Sequence, residues 1–307
     1  MAVVSLGLND TALATVRGGV VAVGNFDGVH RGHAALIAAA RELAGVERAV
    51  VPVTFDPHPL VLLAPERYQP PLTTVAERTR LLHEIGADHV VVLHTTPALL
   101  ALTPEVFFQR IIRGALNARG LIEGFNFRFG RDRAGSNETL RTLSRDADIE
   151  FREVSAFELD GRPVSSSRVR DALQLGKVAA AADLLGRPYR LSGTVGTGAK
   201  RGRTIGFPTA NLEHIETCIP AEGVYAVCAS TPSGTFGGAA NIGPNPTFGE
   251  DTRKLEVHLL DFAGDLYGSV LNIDFIARLR DTKKFANVDA LVEQLKVDVI
   301  EARRLLA

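Results

Sequence analysis

The chain has 307 residues, with 34 basic against 35 acidic side chains, a net charge of −1, 46% hydrophobic and 22% charged residues. That length favours two domains at roughly 100–200 residues each, large enough to bury a core without disulfide staples. The near-zero charge argues against a mainly electrostatic partner such as a nucleic-acid backbone, the composition argues against disorder, and no apolar run approaches the roughly 20 residues of a membrane helix. In the first half, apolar runs alternate with helical patterns. Residues 19–24 (GVVAVG) read as a short, fully buried parallel strand. Over 33–44, Leu36, Ile37, Ala40 and Leu43 recur at helical spacing. Residues 49–55 form a second apolar run, with Pro52 an objection to a central strand. The spacing predicts a helix over 74–85, opened by a Thr74/Glu77 capping box, with Leu81, Leu82 and Ile85 on one face. Residues 90–93 give a third strand, and Thr103 with Pro104 starts a helix running to about residue 118. Residues 121–122 and 149–154 complete the series. Strand–helix alternation with short links means a parallel sheet in an α/β layer fold.

Near residue 187 the pattern changes to period two. Strands are predicted at 189–195, 224–229, 235–242, 254–260 and 271–279, with glycines and prolines between them. Several short strands without intervening helices predict an antiparallel barrel. Asn287 then caps a last helix carrying Val288, Leu291, Val292, Leu295 and Val299. The boundary falls at 186–188, giving domains 1–186 and 187–307. Cys218 and Cys228 read as ordinary thiols of a cytoplasmic protein, and the start MAVVSLGLND has neither the basic residues nor the cleavage site of a signal peptide.

The residues of chemical interest in the first half are Gly24-Asn25-Phe26-Asp27-Gly28-Val29-His30-Arg31-Gly32-His33. They follow the first predicted strand and lead into the first helix, where an open α/β sheet places its ligand. Gly24, Gly28 and Gly32 let the backbone approach a ligand closely. A three-residue spacing puts His30 and His33 on one side of a helical turn, each able to donate to a phosphate oxygen. Local backbone capping is the plainer role for two such histidines. A metal role lacks a third nitrogen or sulfur ligand nearby.

The whole phrase GNFDGVHRGH resembles the HxGH nucleotidyltransferases, and within them the FMN adenylyltransferase module of the bacterial bifunctional riboflavin kinase/FAD synthetase family. Residues 54–59 (TFDPHP), 126–130 (NFRFG) and 164–170 (VSSSRVR) are similar to further motifs of that family, with Ser167 where threonine is usual. The resemblance implies a Rossmann-like nucleotidyltransferase domain, followed by an antiparallel riboflavin kinase barrel with a C-terminal helix. It implies that FMN phosphate attacks the α-phosphorus of ATP. The nucleophile is already ionised, so such a site must supply positioning and charge neutralisation, not a general base. By resemblance, His30 and His33 are catalytic and hold the ATP phosphates. Gly24, Asn25, Phe26, Asp27 and Gly28 shape the nucleotide site, and Ser166, Ser167 and Arg170 grip the triphosphate. Phe55, Pro57, His58, Asn126 and Phe127 fall on the flavin side. A helix N-cap is the plainer role for the serine run, an exposed loop for 126–133, and a structural loop histidine for His58.

In the second half, 193–206 (GTVGTGAKRGRTIG) has five glycines and three basic residues. Alone, such a loop is equally consistent with phosphate binding, RNA binding or a solvated turn; it is neither a Walker A loop nor a complete GxGxxG. The next segment, Gly206-Phe207-Pro208-Thr209-Ala210-Asn211, resembles the riboflavin kinase FPTAN signature, as 223–227, 241–248, 255–262 and 279–285 resemble other stretches of that family. The resemblance implies that Gly196, Gly198, Arg201, Gly206, Pro208, Thr209 and Asn211 bind ATP, with Thr209 and Asn211 as Mg²⁺ ligands; both offer hard oxygens. Without that context the default for Thr209 and Asn211 is a turn after proline. Along 255–259, Leu255, Val257 and Leu259 point one way and Glu256 and His258 the other. Riboflavin's 5′-hydroxyl is a weak acid, with a pKa of roughly 16, so its phosphorylation needs a proton acceptor. The resemblance gives that catalytic role to Glu256 and none to His258. The implied partners are riboflavin, FMN and ATP, without nucleic acid or membrane. Two other readings are an adenylyl- or cytidylyltransferase for a different phosphate with an appended barrel, and a flavin- or RNA-binding protein. Scarce aromatics (6%, no Trp) count against stacking on single strands.

Overall fold

The computed structural model describes residues 2–12, 14–197, 202, 205–245 and 250–307. The chain divides into two compact units, Met1–Gln69 with Thr73–Ser165, and Pro70–Leu72 with Ser166–Ala307.

In the first unit, β1 (Ala2–Leu6), β2 (Val20–Val23), β3 (Val50–Asp56), β4 (His89–His94), β5 (Gly120–Gly124) and β6 (Glu150–Val154) build one sheet in the order β1-β4-β3-β2-β5-β6. Its pairings are parallel. The helices are α1 (Arg31–Ala44), α2 (Leu60–Leu63), α3 (Val75–Glu84), α4 (Pro97–Leu100), α5 (Pro104–Phe107) and α6 (Asn137–Asp146). Alternation along β2 explains its unbroken apolar run. Val21 and Val23 join one buried cluster with Phe108 and Ile111, while Val20 and Ala22 join another with Ile37 and Leu82. Both faces of the sheet are therefore covered, as a parallel sheet requires.

The structure also departs from the sequence patterning in this unit. Pro52 does sit in a central strand, because the β3–β4 register begins one residue later, at Val53↔Val91, so its missing N–H removes no bond from that ladder. The helix predicted from Thr103 is capped there, but after Phe107 it continues as a π-helix over Phe108–Ala115. Finally, β1 and α6 are not among the predicted elements.

A short ribbon, β7 (Glu158–Leu159) with β8 (Arg162–Pro163), ends the first unit. The second unit opens with α7 (Ser166–Gln174) and α8 (Val178–Leu185). These two helices pack on each other, and α8 packs on barrel strands, so the compact unit begins ahead of the 186–188 boundary. Strands β9 (Tyr189–Gly196), β10 (Ala210–Glu213), β11 (Gly223–Thr231), β12 (Gly234–Asn245), β13 (Glu250–Leu259) and β14 (Val270–Arg280) close a barrel in the order β10-β13-β12-β11-β14-β9. Its ladders are antiparallel. Leu191, Val195, Leu212, Tyr225, Val257 and Phe275 fill its interior. Strand β10, too short for a period-two signal, is the one barrel strand that sequence patterning does not predict. The last helix, α9 (Val288–Leu306), is capped by Asn287, whose Oδ1 accepts the Ala290 N–H at 2.9 Å.

Candidate active sites

The sheet order runs outward from β2 in both directions, through β3 and β4 on one side and β5 and β6 on the other. The topological switch point therefore lies between β2 and β5, the crevice where such sheets bind ligands. The β2–β5 ladder holds only Val20↔Gly120 and Val21↔Leu121. Beyond it, the Glu123 carboxylate takes over and accepts the Val23 N–H at 2.8 Å. Glu123 is 1% exposed, and burial pushes its carboxyl well above the usual carboxylate range.

At the end of β2 the chain makes a tight turn, with positive φ at Phe26 (48°), Gly28 (81°) and Val29 (40°). Phe26 and Val29 tolerate that strain because both are buried in the core. Asp27, also buried, holds the turn from beneath. Its Oδ1 accepts the Thr73 N–H at 3.2 Å and the Thr73 hydroxyl at 3.3 Å, and Arg78 Nη2 lies 3.8 Å away. The Gly28 N–H donates to Thr73 Oγ1 at 3.1 Å. Arg78 further donates to Thr54 Oγ1 at 3.0 Å and to the Thr73 carbonyl at 3.3 Å, and the Thr54 hydroxyl donates to the Asn25 carbonyl at 3.0 Å. One buried guanidinium thus joins the end of β3 to the turn after β2.

His30 is the N-cap of α1. Its Nδ1 accepts the His33 N–H at 3.4 Å, and His33 Nδ1 accepts the His30 N–H at 3.3 Å. The two rings stack, with centroids 3.7 Å apart and planes at 14°. The reciprocal cap uses both Nδ1 lone pairs, so each neutral ring carries its proton on Nε2, the nitrogen able to donate to a phosphate oxygen. Gly32 suits this packing: a Cβ there would come within 3.1 Å of the His30 ring, which would have to shift by a few tenths of an ångström. The capping role and the phosphate role of the pair are therefore compatible.

The other predicted first-half positions lie on separate segments. Phe55 and His58 flank the Asp56–Pro57 bond, which is cis. His58 Nδ1 accepts the Leu60 N–H at 3.1 Å. Asn126 is exposed, and Phe127 stacks on Phe129 with centroids 5.7 Å apart. Ser166 and Ser167 open α7 in the second unit, and Arg170, a turn later, donates to the Pro70 carbonyl at 3.3 Å.

In the barrel, register does what spacing alone does not. Asn211 lies opposite Gly196 on one side and Glu256 on the other, and Glu256 lies opposite Asn241. Directly opposed residues share a face, so Gly196, Asn211, Glu256 and Asn241 form one row across β9, β10, β13 and β12. Their neighbours Leu212, Leu255, Val257 and Ile242 are buried. Thr209 immediately precedes β10 and, with Pro208, Val257, Leu266 and Tyr267, lines a surface hollow. His258 Nδ1 lies 2.8 Å from the Pro208 carbonyl. Gly206 takes a φ of 81° at the bend before this segment. Gly198 and Arg201 lie outside the described residues. Thr209 hydroxyl, Asn211 amide oxygen and the Glu256 carboxylate are all hard oxygen donors, which fits a divalent cation. Among the described residues no group of three or more His, Cys, Asp or Glu side chains forms a metal cluster.

Two family models match, FAD synthetase over residues 13–168 and riboflavin kinase over 185–306. A bifunctional riboflavin kinase/FMN adenylyltransferase of Pseudomonas fluorescens is 39% identical over 295 residues, covering 95% of this chain and 94% of the relative. The chain belongs to the bifunctional riboflavin kinase/FMN adenylyltransferase family. The Escherichia coli K12 enzyme of that name is 37% identical over 97% of this chain and 96% of its own. A solved structure from Streptococcus pneumoniae described as a macrolide-efflux protein superposes with a TM-score of 0.87 at 34% identity, covering 98% of this chain and 99% of that one. Efflux is said of that protein. No described helix of this family member is long and apolar enough to cross a membrane. The histidine turn falls within the FAD synthetase match, and the Asn211–Glu256 row within the riboflavin kinase match.

Sequence reasoning does not single out Thr73 or Arg78, places Asn241 only within a matching stretch, and gives His258 no role. Arg78 sits on an amphipathic helix with no local mark, and its partner Thr54 lies 24 residues away. Asn241 gains meaning only through its register with Glu256. The alternation that puts Glu256 on one face of its strand also puts His258 there, two residues on.

Proposed function

We infer that this chain makes flavin cofactors in two ATP-dependent steps. It phosphorylates riboflavin to FMN with release of ADP, then adenylylates FMN to FAD with release of pyrophosphate. The observation that carries this reading is that both motif sets occur in one chain, each on the fold its chemistry needs: stacked histidines at the switch point of a parallel sheet, and Glu256 beside Asn211 on a barrel. We assign the first-half chemistry to residues 1–186 and the kinase to 187–307.

In the adenylyltransferase site, a phosphate oxygen of FMN forms the new bond to the α-phosphorus of ATP, and the bond from that phosphorus to the bridging oxygen of the β-phosphate breaks. His30 and His33 donate from Nε2 to phosphate oxygens as charge shifts toward pyrophosphate, and the Gly24–Gly28 backbone with Asn25, Phe26 and Asp27 shapes the phosphate cradle. Ser166, Ser167 and Arg170 hold the triphosphate, and Phe55, Pro57, His58, Asn126 and Phe127 frame the flavin.

In the kinase site, Glu256 orients the riboflavin 5′-hydroxyl and takes its proton as the oxygen bonds to the γ-phosphorus and ADP leaves. Gly196, Gly198, Arg201, Gly206 and Pro208 line the nucleotide phosphates. Thr209 and Asn211 would hold Mg²⁺. When bound, that ion neutralises phosphate charge. The substrates are small anions and a neutral flavin, which suits a chain of net charge −1, and the setting we propose is the cytoplasm.

The test is to incubate the full chain with riboflavin, ATP and Mg²⁺ and to follow products by chromatography. FMN should appear first and FAD later, with ADP and pyrophosphate. No FMN would overturn the kinase assignment, and FMN without FAD would overturn the adenylyltransferase assignment.

A further inference from the structure

His258 is the residue beside the kinase site that the mechanism above leaves unused. It shares a face of β13 with Glu256, two residues along, and it reaches the segment that carries Thr209. Its Nδ1 lies 2.8 Å from the Pro208 carbonyl oxygen. A carbonyl only accepts, so Nδ1 must carry the hydrogen, whether the ring is neutral or protonated. The Phe207 ring packs edge-on against the His258 ring, with centroids 5.3 Å apart. The Phe207 N–H is held by the Gly202 carbonyl at 2.8 Å. Pro208 brings no N–H of its own, so its carbonyl is the handle this residue offers. That carbonyl belongs to the same planar peptide as the Thr209 N–H, and in a trans peptide the two point in opposite directions. Drawing the Pro208 carbonyl toward β13 therefore turns the Thr209 N–H away from β13 and sets where Thr209 enters β10.

We propose that His258 is a positioning residue of the kinase site: its Nδ1–H to Pro208 carbonyl bond couples the strand that carries Glu256 to the segment that presents Thr209 to the nucleotide. The proposal rests on the kinase reading given above. One strand then supplies both the group that receives the hydroxyl proton and the anchor that sets the nucleotide-side residues. The binding of ATP with Mg²⁺ depends on His258, and the binding of riboflavin does not.

The test compares His258→Asn with His258→Leu in the full chain. Asparagine keeps an N–H donor near the Nδ1 position; leucine fills similar space without one. Initial rates of FMN formation are measured against Mg-ATP and against riboflavin, with adenylylation of supplied FMN as the internal control. Loss of one net hydrogen bond should raise the KM for Mg-ATP about two- to tenfold in His258→Leu, leaving the KM for riboflavin and the adenylylation rate near wild type. His258→Asn should recover most of the loss. An unchanged KM for Mg-ATP in His258→Leu, an equal defect in both variants, or an equal rise in both KM values would overturn the proposal. Nitrogen NMR of histidine-labelled wild-type protein supplies a second reading that needs no variant. A protonated Nδ1 on His258 supports the bond, and a neutral ring protonated only on Nε2 contradicts it. Wild-type protein that forms no FMN would refute the kinase reading itself, while the NMR result would still judge the His258 bond.

Discussion

Glu123 stands at the switch point of the sheet, where a side chain replaces backbone pairing. It spans the point where β2 and β5 part, and its carboxyl, buried and pushed up by desolvation, still accepts the Val23 N–H. Its folded pKa lies above its unfolded value of about 4.3. Folding therefore favours the protonated form. The stability this contributes is full below the unfolded pKa and is lost as the pH rises through the folded one. Glu123→Gln keeps a carbonyl acceptor for Val23 and never ionises. Thermal unfolding across pH should show the variant above wild type at about pH 8, with the gap shrinking toward about pH 4. A gap independent of pH would mean that Glu123 is not the group being desolvated. Legibility at this scale follows the reach of each residue's partners. That His30 and His33 share one side of a turn, and Glu256 and His258 one face of a strand, is readable because spacing alone sets it; their roles come from the family resemblance. Arg78 is not, because its meaning comes from Asp27 and Thr54 on two other segments.

Elements show the same division between what is local and what is not. The caps at Thr74, Thr103 and Asn287 are in the sequence and in the structure, because a cap is decided within a few residues. Strand β10 is invisible to pattern, since it has only four residues and follows a proline, yet it carries Asn211 into register with Glu256. The hold on α9 is likewise a distant pairing. Arg280, the last residue of β14, donates Nε to Asp298 Oδ1 at 2.9 Å and Nη2 to Asp298 Oδ2 at 2.7 Å, and Asp298 on α9 is buried. Asp298→Ala removes the carboxylate and leaves the guanidinium its bond to the Asp281 carbonyl at 2.9 Å, at a cost of about 1.5–3 kcal/mol. Hydrogen exchange should then rise across Val288–Leu306 and the melting temperature should fall. Unchanged protection in α9 would show that apolar packing alone retains the helix.

For the molecule as a whole, length and charge both take on physical content. Length favours two domains, and the chain divides into two compact units and belongs to a family whose two models match residues 13–168 and 185–306. Charge near zero suits small ligands held by local donors rather than by a global field. The fold class was open to reading because strand–helix alternation and period two are strong signals. The sheet order and the barrel register were not, because both are set by contacts between distant segments. Independence of the two sites is the central claim, and single-site variants test it most directly. Glu256→Gln should lose FMN formation by about a hundredfold or more and still adenylylate supplied FMN, and His30→Ala should do the reverse. With riboflavin and ATP, neither variant alone should make FAD at an appreciable rate, and an equal mixture of the two should make it. A single substitution that abolishes both half-reactions in folded protein, or a mixture that yields no FAD, would contradict two independent sites acting in series.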